Sequence, residues 1–562
     1  MMNQVMEILI GICCVFLIGI LISSWNTMNR LKKLKVKIVE EYGQPIDISE
    51  VDFKMNSVAS YFENKIINKI DDGANIVDDI TWNDLSMDDI FKKINNTQST
   101  AGRELLYDML RRSLNDEDKL RKRENIIIYF EEHPKERFNV QYILGKLGYS
   151  RELYTSNCLF NEDYDGKNKL MKYRILSILP LISLILIFFE PFFVLIMIGT
   201  ALLNVCISLY DKKKNYNTEG FTYLIKVINT AKKIKKLNIK EIDDNLFDIT
   251  EDLKKLRRIR KKSVGSDPNS LVSELNVLSE YTSMLFLSEL ITYEKVKKNI
   301  IKNKNHLINV FEYVGIIDAL IGVASFRESL NYFEKPNLDK SKNKHIHIEF
   351  RELYHPLIDN PISNSGFFDK SALITGSNAS GKSTFIKSVA INAILAQSIF
   401  TVCAKEYSSS YFKVYTSMAL KDDVLSKESY YIVEIKSLKR ILDSIDEDIP
   451  CLCFVDEILR GTNTIERIAS SSEVLNSLSE SNCICFAATH DIELTYILED
   501  KFYNYHFEEN ITDNDIKFDY KLYEGRAQSR NAIKLLGFMG YSEEIVNRAQ
   551  DKAEKFVCTG KW

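Results

Sequence analysis

A glycine loop between two apolar segments constrains this chain more than any other feature. The stretch Leu373–Thr384, LITGSNASGKST, fits the pattern G-x-x-x-x-G-K-[ST]. The apolar run Ala372–Thr375 comes just before the loop, and the apolar-periodic run Phe385–Ile399 follows it. That order predicts a strand, a loop and a helix, which is the context in which this pattern binds phosphate. A chance match in an ordinary loop is the alternative, and the flanking pattern disfavours it.

The loop residues predict a site for a nucleoside triphosphate and Mg²⁺. Backbone N–H groups of the loop and the helix N-terminus together form an anion site. Lys382 is expected to reach the β- and γ-phosphates, and Ser383 to place its hydroxyl on Mg²⁺. The predicted nucleotide-binding residues are Gly376, Ser377, Asn378, Ala379, Ser380, Gly381, Lys382, Ser383 and Thr384.

An acid pair follows a second apolar run. Cys451–Val455 reads as a buried parallel strand, and it leads into Asp456 and Glu457. An acid at the tip of such a strand, beside a phosphate loop, can hold Mg²⁺ through its water shell. The next carboxylate can orient or deprotonate the attacking water. A strand that ends in two solvated acids is the alternative, which the upstream loop disfavours.

A third apolar run, Cys483–Ala488, predicts another strand, which leads into Thr489, His490 and Asp491. A histidine at this strand end can hydrogen-bond the γ-phosphate and report its loss. A lone histidine is more often structural, but the order of strand, acid pair, strand and histidine favours a role in sensing the nucleotide.

The segment Lys421–Glu434, KDDVLSKESYYIVE, lies between the loop and the acid pair. It holds a serine-bounded turn, Ser426–Ser429, followed by a helical pattern. In ATPases that work as face-to-face dimers, such a segment closes over the nucleotide of the other subunit. Taken alone, the segment would be an ordinary helix cap.

These motifs together resemble the MutS family of mismatch-repair ATPases. The order is TGSNASGKST, DDVLSKES, FVDEILRGTNT, ATHDIEL and GRAQSRNAI, followed by a final helix, over about Glu349 to Phe556. The resemblance implies an ABC-type α/β P-loop ATPase that binds ATP and Mg²⁺ and works as a dimer with two composite sites.

The resemblance also implies a role for each residue of the site. Lys382 and Ser383 would bind nucleotide and magnesium, Asp456 would hold magnesium, Glu457 would be the base and His490 the phosphate sensor. Ser429 would act in trans on the partner's nucleotide. The sequence departs from the family at Ala379-Ser380, where Met-Gly or similar residues are usual, and at Lys427-Glu428, which replace a glycine-containing turn. The second departure affects the expected trans contact.

The resemblance extends upstream into an expected all-α core. Asn96–Leu114 resembles the start of the MutS helical core, and Asp318–Leu338 resembles its end. Tyr354-His355-Pro356 stands where the family has a His-Pro before the nucleotide domain. Only the segment from Lys32 to Ile94 separates the first apolar run from this core. We therefore expect no mismatch-reading domain.

Apolar runs predict membrane segments. Ile8–Trp25 is uncharged and long enough to span a bilayer, and it lacks the features of a removable signal peptide. Basic residues between Arg30 and Lys37 follow it, which places that side in the cytoplasm. A second apolar region, Ile175–Tyr210, is interrupted at Glu190-Pro191 and has basic residues at both ends. It predicts a transmembrane hairpin, with a buried helical hairpin in a soluble core and a re-entrant hairpin as alternatives.

Charge and cysteine content narrow the remaining classes of function. The net charge of −4 gives no global signal for nucleic acid. Basic runs at Lys232–Lys236 and Lys254–Lys262 suit solvated helix faces or anionic lipid, and DNA contact stays open. The ten cysteines form no C-x-x-C pair, so neither a disulfide framework nor a zinc site is predicted.

We therefore expect a multi-pass cell-membrane protein with its ATPase in the cytoplasm. The expected partners are a second copy of the chain, the lipid bilayer, an unidentified protein and duplex DNA. ATP hydrolysis would move helical arms; a membrane-tethered DNA repair or recombination protein is the alternative, and a transporter-like ABC protein is disfavoured. The predicted domains are residues 1–29, a transmembrane anchor; 30–90, a connector; 91–171, the first part of the helical core; 172–214, the transmembrane hairpin; 215–339, the second part of the core; 340–540, the ATPase; and 541–562, a helical dimerisation segment.

Overall fold

Two compact units make up the chain in the computed structural model. The described residues are 24–51, 53–70, 73–150, 155–160, 169–187, 189–215, 218–257, 282–339, 346–377, 380–418, 430–512, 515–527, 533, 536–537 and 539–559. The first unit comprises Met1–Asp72, Ile94–Asp108 and Lys122–Ser329; the second comprises Gly73–Lys93, Met109–Arg121 and Leu330–Trp562. The predicted N-terminal span lies outside the described residues except for Ser24 and Trp25.

Helices form most of the first unit and flank the sheets of the second. In chain order they are α1 (24–41), α2 (Met55–Val58), α3 (Ser60–Ile67), α4 (Asp79–Asp84), α5 (Met87–Ile94), α6 (Thr100–Arg111), α7 (Glu117–Glu132), α8 (Pro134–Leu147), α9 (Asn157–Phe160), α10 (Leu170–Leu186), α11 (Phe193–Asn215), α12 (Thr218–Lys235), α13 (Lys240–Asn245), α14 (Thr250–Lys255), α15 (Ser288–Lys302), α16 (Lys304–Ser329), α17 (Lys382–Ile399), α18 (Tyr430–Ser444), α19 (Thr464–Glu480), α20 (Ile492–Ile497) and α21 (Glu543–Thr559).

Helix α16 forms the centre of the first unit. It is apolar on nearly all sides, as a fully buried helix must be, and α8, α9, α12 and α14 pack against it. Arg327 near its end is buried and paired with the buried Glu124, with a distance of 3.1 Å from Arg327 Nη1 to Glu124 Oε1. This core is helical, as the resemblance implied.

Helices α10 and α11 form an antiparallel hairpin whose outer surface is apolar. The turn lies at the predicted Glu190-Pro191 interruption. Polar contacts lie between the arms: Tyr173 Oη donates to Asp211 Oδ2 at 2.6 Å. The exposed apolar side chains of the hairpin include Met171, Ile175, Ile178, Leu181, Ile182, Leu184, Ile185, Phe189, Phe192, Val194, Leu195, Ile196, Ile198, Leu202, Leu203 and Leu209.

Two helices of the described part are long and apolar enough to cross a membrane. One is the segment Phe193–Asp211 of α11, of which 11% is buried, and the other is α16, of which 78% is buried. The burial of α16 identifies it as a core helix of its unit. Length and composition therefore leave α11 as the candidate span among the described residues.

Three sheets lie in the second unit. The strands are β1 (Asn75–Ile76), β2 (Arg112–Ser113), β3 (Asn337–Asp339), β4 (Ile348–Leu353), β5 (Asn364–Phe368), β6 (Ala372–Thr375), β7 (Glu406–Ser410), β8 (Lys413–Ser417), β9 (Cys451–Asp456), β10 (Cys483–Ala488), β11 (Tyr503–Thr512) and β12 (Asp515–Glu524). The main sheet has the order β12-β11-β6-β10-β9-β8 and is parallel except for the β11–β12 hairpin. A four-stranded sheet has the order β3-β7-β4-β5, and β1 pairs with β2.

Packing around the main sheet explains the sequence of its strands. Strands β9 and β10 are buried along their whole length, and α17 packs against both. The cysteines that alternate along β9 and β10 are buried in the apolar core. Parallel strands place their carboxyl ends on one edge, so the loops after β6, β9 and β10 come together there.

The second unit includes one segment that the predicted domains assign to the connector. Helix α4 lies within the predicted connector 30–90, yet it packs against β8. Asp84 accepts hydrogen bonds from Thr416 Oγ1 at 2.7 Å and from the Met418 N–H at 3.0 Å. These contacts join residues far apart in sequence, so local patterns did not indicate them.

Candidate active site

The glycine loop after β6 has a conformation that only glycine adopts readily at its two ends. Gly376 has φ 147° and Gly381 has φ 105°. A Cβ on Gly376 would lie 2.9 Å from Ser380 Oγ and 3.0 Å from the Phe507 carbonyl oxygen. A Cβ on Gly381 would lie 3.1 Å from Tyr520 Cδ1. Backbone conformation and close neighbours therefore both require glycine at these positions.

Lys382 is the first residue of α17 and is nearly buried. Its Nζ donates to the carbonyl oxygens of Gly376, at 2.8 Å, and of Ser377, at 2.7 Å. Burial lowers the pKa of Lys382 to about 8, against the opposing effect of the carboxylates of Glu457 and Asp456. The amine therefore lies over the loop and within the field of the acid pair.

The rest of the loop offers polar groups to a phosphate. Ser380 is buried, and its Oγ has no hydrogen-bond partner among the described residues. Ser383 and Thr384 are exposed in the first turn of α17. Asn378 and Ala379 lie outside the described residues, so their predicted roles stay predictions.

The acid pair lies at the carboxyl end of β9, as predicted. Asp456 is the last residue of the strand and is buried, and Glu457 follows with φ 56°. The Glu457 N–H donates to the Ala488 carbonyl oxygen at 2.9 Å, which ties the loop to β10. The Glu457 carboxylate faces His490 and the Arg460 side chain.

The side chains around Glu457 set its ionisation. Its partial burial would raise the pKa, but the hydrogen bond from His490 and the charges of Arg460 and Lys382 outweigh burial and lower the pKa below its usual value. Glu457 is therefore ionised at neutral pH, as a base or water-orienting group requires.

His490 lies beside Glu457 on the neighbouring strand end, with 2.9 Å between His490 Nε2 and Glu457 Oε1. The residues on both sides of His490 are fixed. The Thr489 N–H donates to the Ile374 carbonyl oxygen at 3.0 Å. Asp491 accepts two hydrogen bonds from Arg467, from Nε at 2.9 Å and from Nη2 at 2.6 Å. This bidentate pair positions the loop that carries His490.

The structure thus brings together the predicted residues of three strand ends. Lys382 follows β6, the acid pair follows β9 and His490 follows β10. Ser429, predicted to act in trans, lies outside the described residues, so its role stays a prediction.

The sequence patterns did not single out three further residues at the site. Arg460 pairs with Glu457, Glu434 binds the backbone of the loop after β9, and Tyr520 covers Gly381. Spacing could have indicated Arg460, which follows Glu457 by three residues in the same motif. No local signal marks Glu434 or Tyr520, because each reaches the site from a distant element.

The described residues of the loop suit phosphate by their chemistry. The Ser380 Oγ, which has no hydrogen-bond partner among the described residues, and the Lys382 amine can both contact phosphate oxygens. No cluster of three or more metal-ligating side chains occurs within the described residues.

The region of the chain that carries this site is similar to known proteins. Residues 372–557 match the family model described as MutS domain V. A DNA mismatch repair protein MutS of Clostridium kluyveri is 26% identical over 375 residues, which cover 61% of this chain and 42% of that protein. A MutS of Clostridium botulinum is 28% identical over 316 residues, 52% of this chain and 33% of that protein.

A DNA mismatch repair protein MutS 2 of Haloarcula marismortui is 33% identical over 184 residues, which cover 32% of this chain and 19% of that protein. The chain therefore spans less than half the length of the curated relatives it matches. The chain is therefore similar to MutS proteins, and the family model matches residues 372–557.

Proposed function

We propose that this chain is a membrane-anchored, MutS-like ATPase that hydrolyses ATP as a homodimer to move its helical arms. The observation that carries this proposal is the grouping of Lys382, Glu457 and His490 at adjacent strand ends, with 2.9 Å between His490 Nε2 and Glu457 Oε1. Such a group can bind phosphate, activate water and respond to the γ-phosphate.

Each residue has a defined task in this proposal. Lys382 would exchange its bonds to the loop carbonyls for the β- and γ-phosphate oxygens. Ser383 and Asp456 would hold magnesium, which neutralises charge on the phosphates when bound. Glu457 would orient the attacking water and accept its proton, and His490 would hold Glu457 in place and contact the γ-phosphate.

Tyr520 adds a surface for the nucleotide base. Its ring lies against Gly381 at the end of the phosphate loop, and the side chain is 43% exposed. An exposed aromatic face beside a phosphate site can stack on a base. We include Tyr520 in the proposed nucleotide site for that reason.

The outer face of the α10–α11 hairpin supports the membrane part of the proposal. A soluble protein buries apolar side chains, but this hairpin exposes them and places polar groups between its arms. Asn204 is buried there and donates from Nδ2 to the carbonyl oxygens of Leu176 at 3.0 Å and Leu285 at 2.8 Å. Polar contacts between helices and an apolar outer face are the arrangement that lipid favours.

Two candidate functions differ in what the helical arms act on. In the first, the arms act on a protein or on the hairpin itself, and no mismatch-reading domain is used. In the second, the protein clamps DNA near the membrane in repair or recombination. The names of its relatives, which are DNA mismatch repair proteins, favour the second candidate.

Duplex binding at two salt concentrations separates these candidates. A DNA clamp should lose affinity steeply as salt rises, because phosphate contacts release counterions. Tighter binding to a mismatched than to a matched duplex would support a sensor of mismatches. If the purified full chain with ATP binds neither duplex at low salt, the DNA candidate is wrong.

Nucleotide binding tests the ATP site itself. Full chain in lipid nanodiscs should bind a fluorescent ATP analogue, and Lys382→Ala should lose at least about tenfold in affinity, because a charge-assisted contact to phosphate is removed. Lys439→Ala is the matched control, since Lys439 is an exposed lysine of α18 paired with Asp443. Equal binding by the Lys382→Ala variant and the wild type would contradict the proposed site.

A further inference from the structure

The loop after β9 has a backbone that needs external support. Glu457 and Leu459, both non-glycine residues, have φ 56°. The left-handed conformation is unfavourable for such residues, so it persists only where the surroundings fix it. The side chain of one of these two residues, Glu457, is the proposed base. The geometry of the proposed base therefore depends on whatever holds this loop.

The Glu434 side chain of α18 holds the loop after β9 by binding backbone N–H groups of that loop. The side chain is buried, and its carboxylate accepts hydrogen bonds from the N–H groups of Leu459 and of Arg460, the latter at 3.1 Å. Burial raises the pKa of Glu434, and the two N–H donors act against that shift. A buried carboxylate that accepts two consecutive backbone N–H groups fixes the peptide between them.

A second contact joins the same helix to the same loop. A Cβ on Gly461 would lie 2.7 Å from Tyr431 Cβ, so the loop passes directly over the first turn of α18. Only glycine permits this approach. Tyr431 and Glu434 are three residues apart and share one face of the helix. Helix α18 therefore holds the loop at two adjacent points.

The loop in turn holds Glu457 from its far side. Arg460 Nε contacts the Glu457 carboxylate, while the Arg460 N–H is bound by Glu434. The Glu457 N–H is bound by the Ala488 carbonyl oxygen. One connection runs from Glu434 through Arg460 to Glu457 Oε2, while His490 contacts Glu457 Oε1.

We propose that Glu434 is a positioning residue for hydrolysis, which keeps the loop after β9 in the conformation that aims Glu457 at the attacking water. This inference rests on the proposed ATPase function. Glu434 itself contacts neither nucleotide nor water in this account, and it acts through Arg460 and Glu457.

The proposal separates turnover from binding. Displacement of a catalytic group by about 1 Å can cost roughly 10²-fold in rate. Glu434→Ala should therefore lower kcat by roughly 10- to 100-fold and leave the affinity for ATP within about threefold of the wild type, since Lys382 and the glycine loop are untouched. Glu434→Gln keeps one of the two acceptor oxygens for the loop, so it should recover part of the lost rate.

A double variant tests the route through Glu457. If Glu434 acts only through Glu457, Glu434→Ala combined with Glu457→Gln should be no slower than Glu457→Gln alone, because residues that act as a unit are not additive. Lys439→Ala, on the exposed face of the same helix, should turn over ATP at the wild-type rate. All variants are measured as full chain in nanodiscs.

The outcomes distinguish this inference from the proposed function. A wild type that neither binds nor hydrolyses ATP would overturn the function. A wild type that hydrolyses ATP, with Glu434→Ala equally fast, would overturn the positioning role alone. A parallel loss of ATP affinity and rate in Glu434→Ala, without recovery in Glu434→Gln, would also overturn it, since this pattern indicates general loss of structure.

Discussion

His490 Nε2 lies 2.9 Å from Glu457 Oε1, across the ends of two adjacent parallel strands. The strands β9 and β10 are paired along six residues each, so the register of the sheet brings the two loops that carry these side chains to the same edge. The contact lowers the pKa of Glu457, the proposed base. It also connects Glu457 to His490, the residue that would contact the γ-phosphate.

Loss of this contact should shift the pH dependence of hydrolysis. His490→Ala removes a hydrogen bond that lowers the pKa of Glu457, so that pKa should rise. The base is active when ionised, and the acid limb of the kcat/KM profile should therefore move to higher pH. His347→Ala, remote from the acid pair in the sequence and just before β4 of the four-stranded sheet, is the control. An unshifted acid limb in His490→Ala would contradict the role of the contact.

ATP affinity should fall as the pH rises above about 8. Burial lowers the pKa of Lys382 to about 8 in the free protein, and bound phosphates should raise it by favouring the charged amine. Below pH 8 the amine is charged in both states, so affinity is at its maximum. Above pH 8 binding must take up a proton, and affinity should fall by up to about tenfold per pH unit.

Calorimetry in buffers of different ionisation enthalpy measures this proton uptake directly. Uptake should be close to zero at pH 7 and should grow between pH 8 and 9. The variant Lys382→Arg keeps its charge throughout this range and serves as the comparison. Proton uptake that is the same in Lys382→Arg and the wild type would show that another group is responsible.

A methyl group at the end of the glycine loop should abolish tight nucleotide binding. Gly381→Ala combines an unfavourable φ of 105° with a contact 3.1 Å from the Tyr520 ring. We expect ATP affinity to fall by at least about tenfold, since the loop must shift. Gly540→Ala has the same backbone penalty at φ 87° and meets no atom within 4 Å, so its affinity for ATP should be unchanged.

The hairpin tip should be accessible from outside the cell if the hairpin spans the membrane. Glu190 lies in the exposed turn between α10 and α11. A Glu190→Cys variant in intact cells should react with a membrane-impermeant maleimide, whereas Lys439→Cys should react only after lysis. The wild-type chain, which lacks the added cysteine, gives the background labelling of the native cysteines. Labelling of Glu190→Cys only after lysis would favour a re-entrant or cytoplasmic hairpin instead.

Local sequence predicted the strands and loops of the site well. The apolar runs Ala372–Thr375 and Cys483–Ala488 form strands with those bounds, and the predicted strand Cys451–Val455 extends by one residue to Asp456. Strand burial on both faces produces continuous apolar runs, which are visible in a single sequence. The two arms of the apolar hairpin were also visible, because their turn carries Glu190-Pro191.

Contacts between distant elements were not predictable in the same way. Glu434 binds backbone N–H groups more than twenty residues downstream, and any helical glutamate could occupy its position in the pattern. Helix α4 packs on β8 through Asp84, although nothing near it in sequence indicates a sheet partner. Such contacts depend on tertiary placement, which hydrophobic periodicity does not encode.

The rate of ATP hydrolysis by the full chain in lipid nanodiscs distinguishes a hydrolytic site from one that only binds nucleotide. We predict turnover by the wild type and a loss of roughly 10²- to 10⁴-fold in Glu457→Gln, because the proposed base is removed while ATP still binds. Glu480→Gln, which alters an exposed carboxylate paired with Lys501, should match the wild type. The ATP-bound Glu457→Gln variant should also be dimeric by light scattering. Equal rates for Glu457→Gln and the wild type would contradict the account.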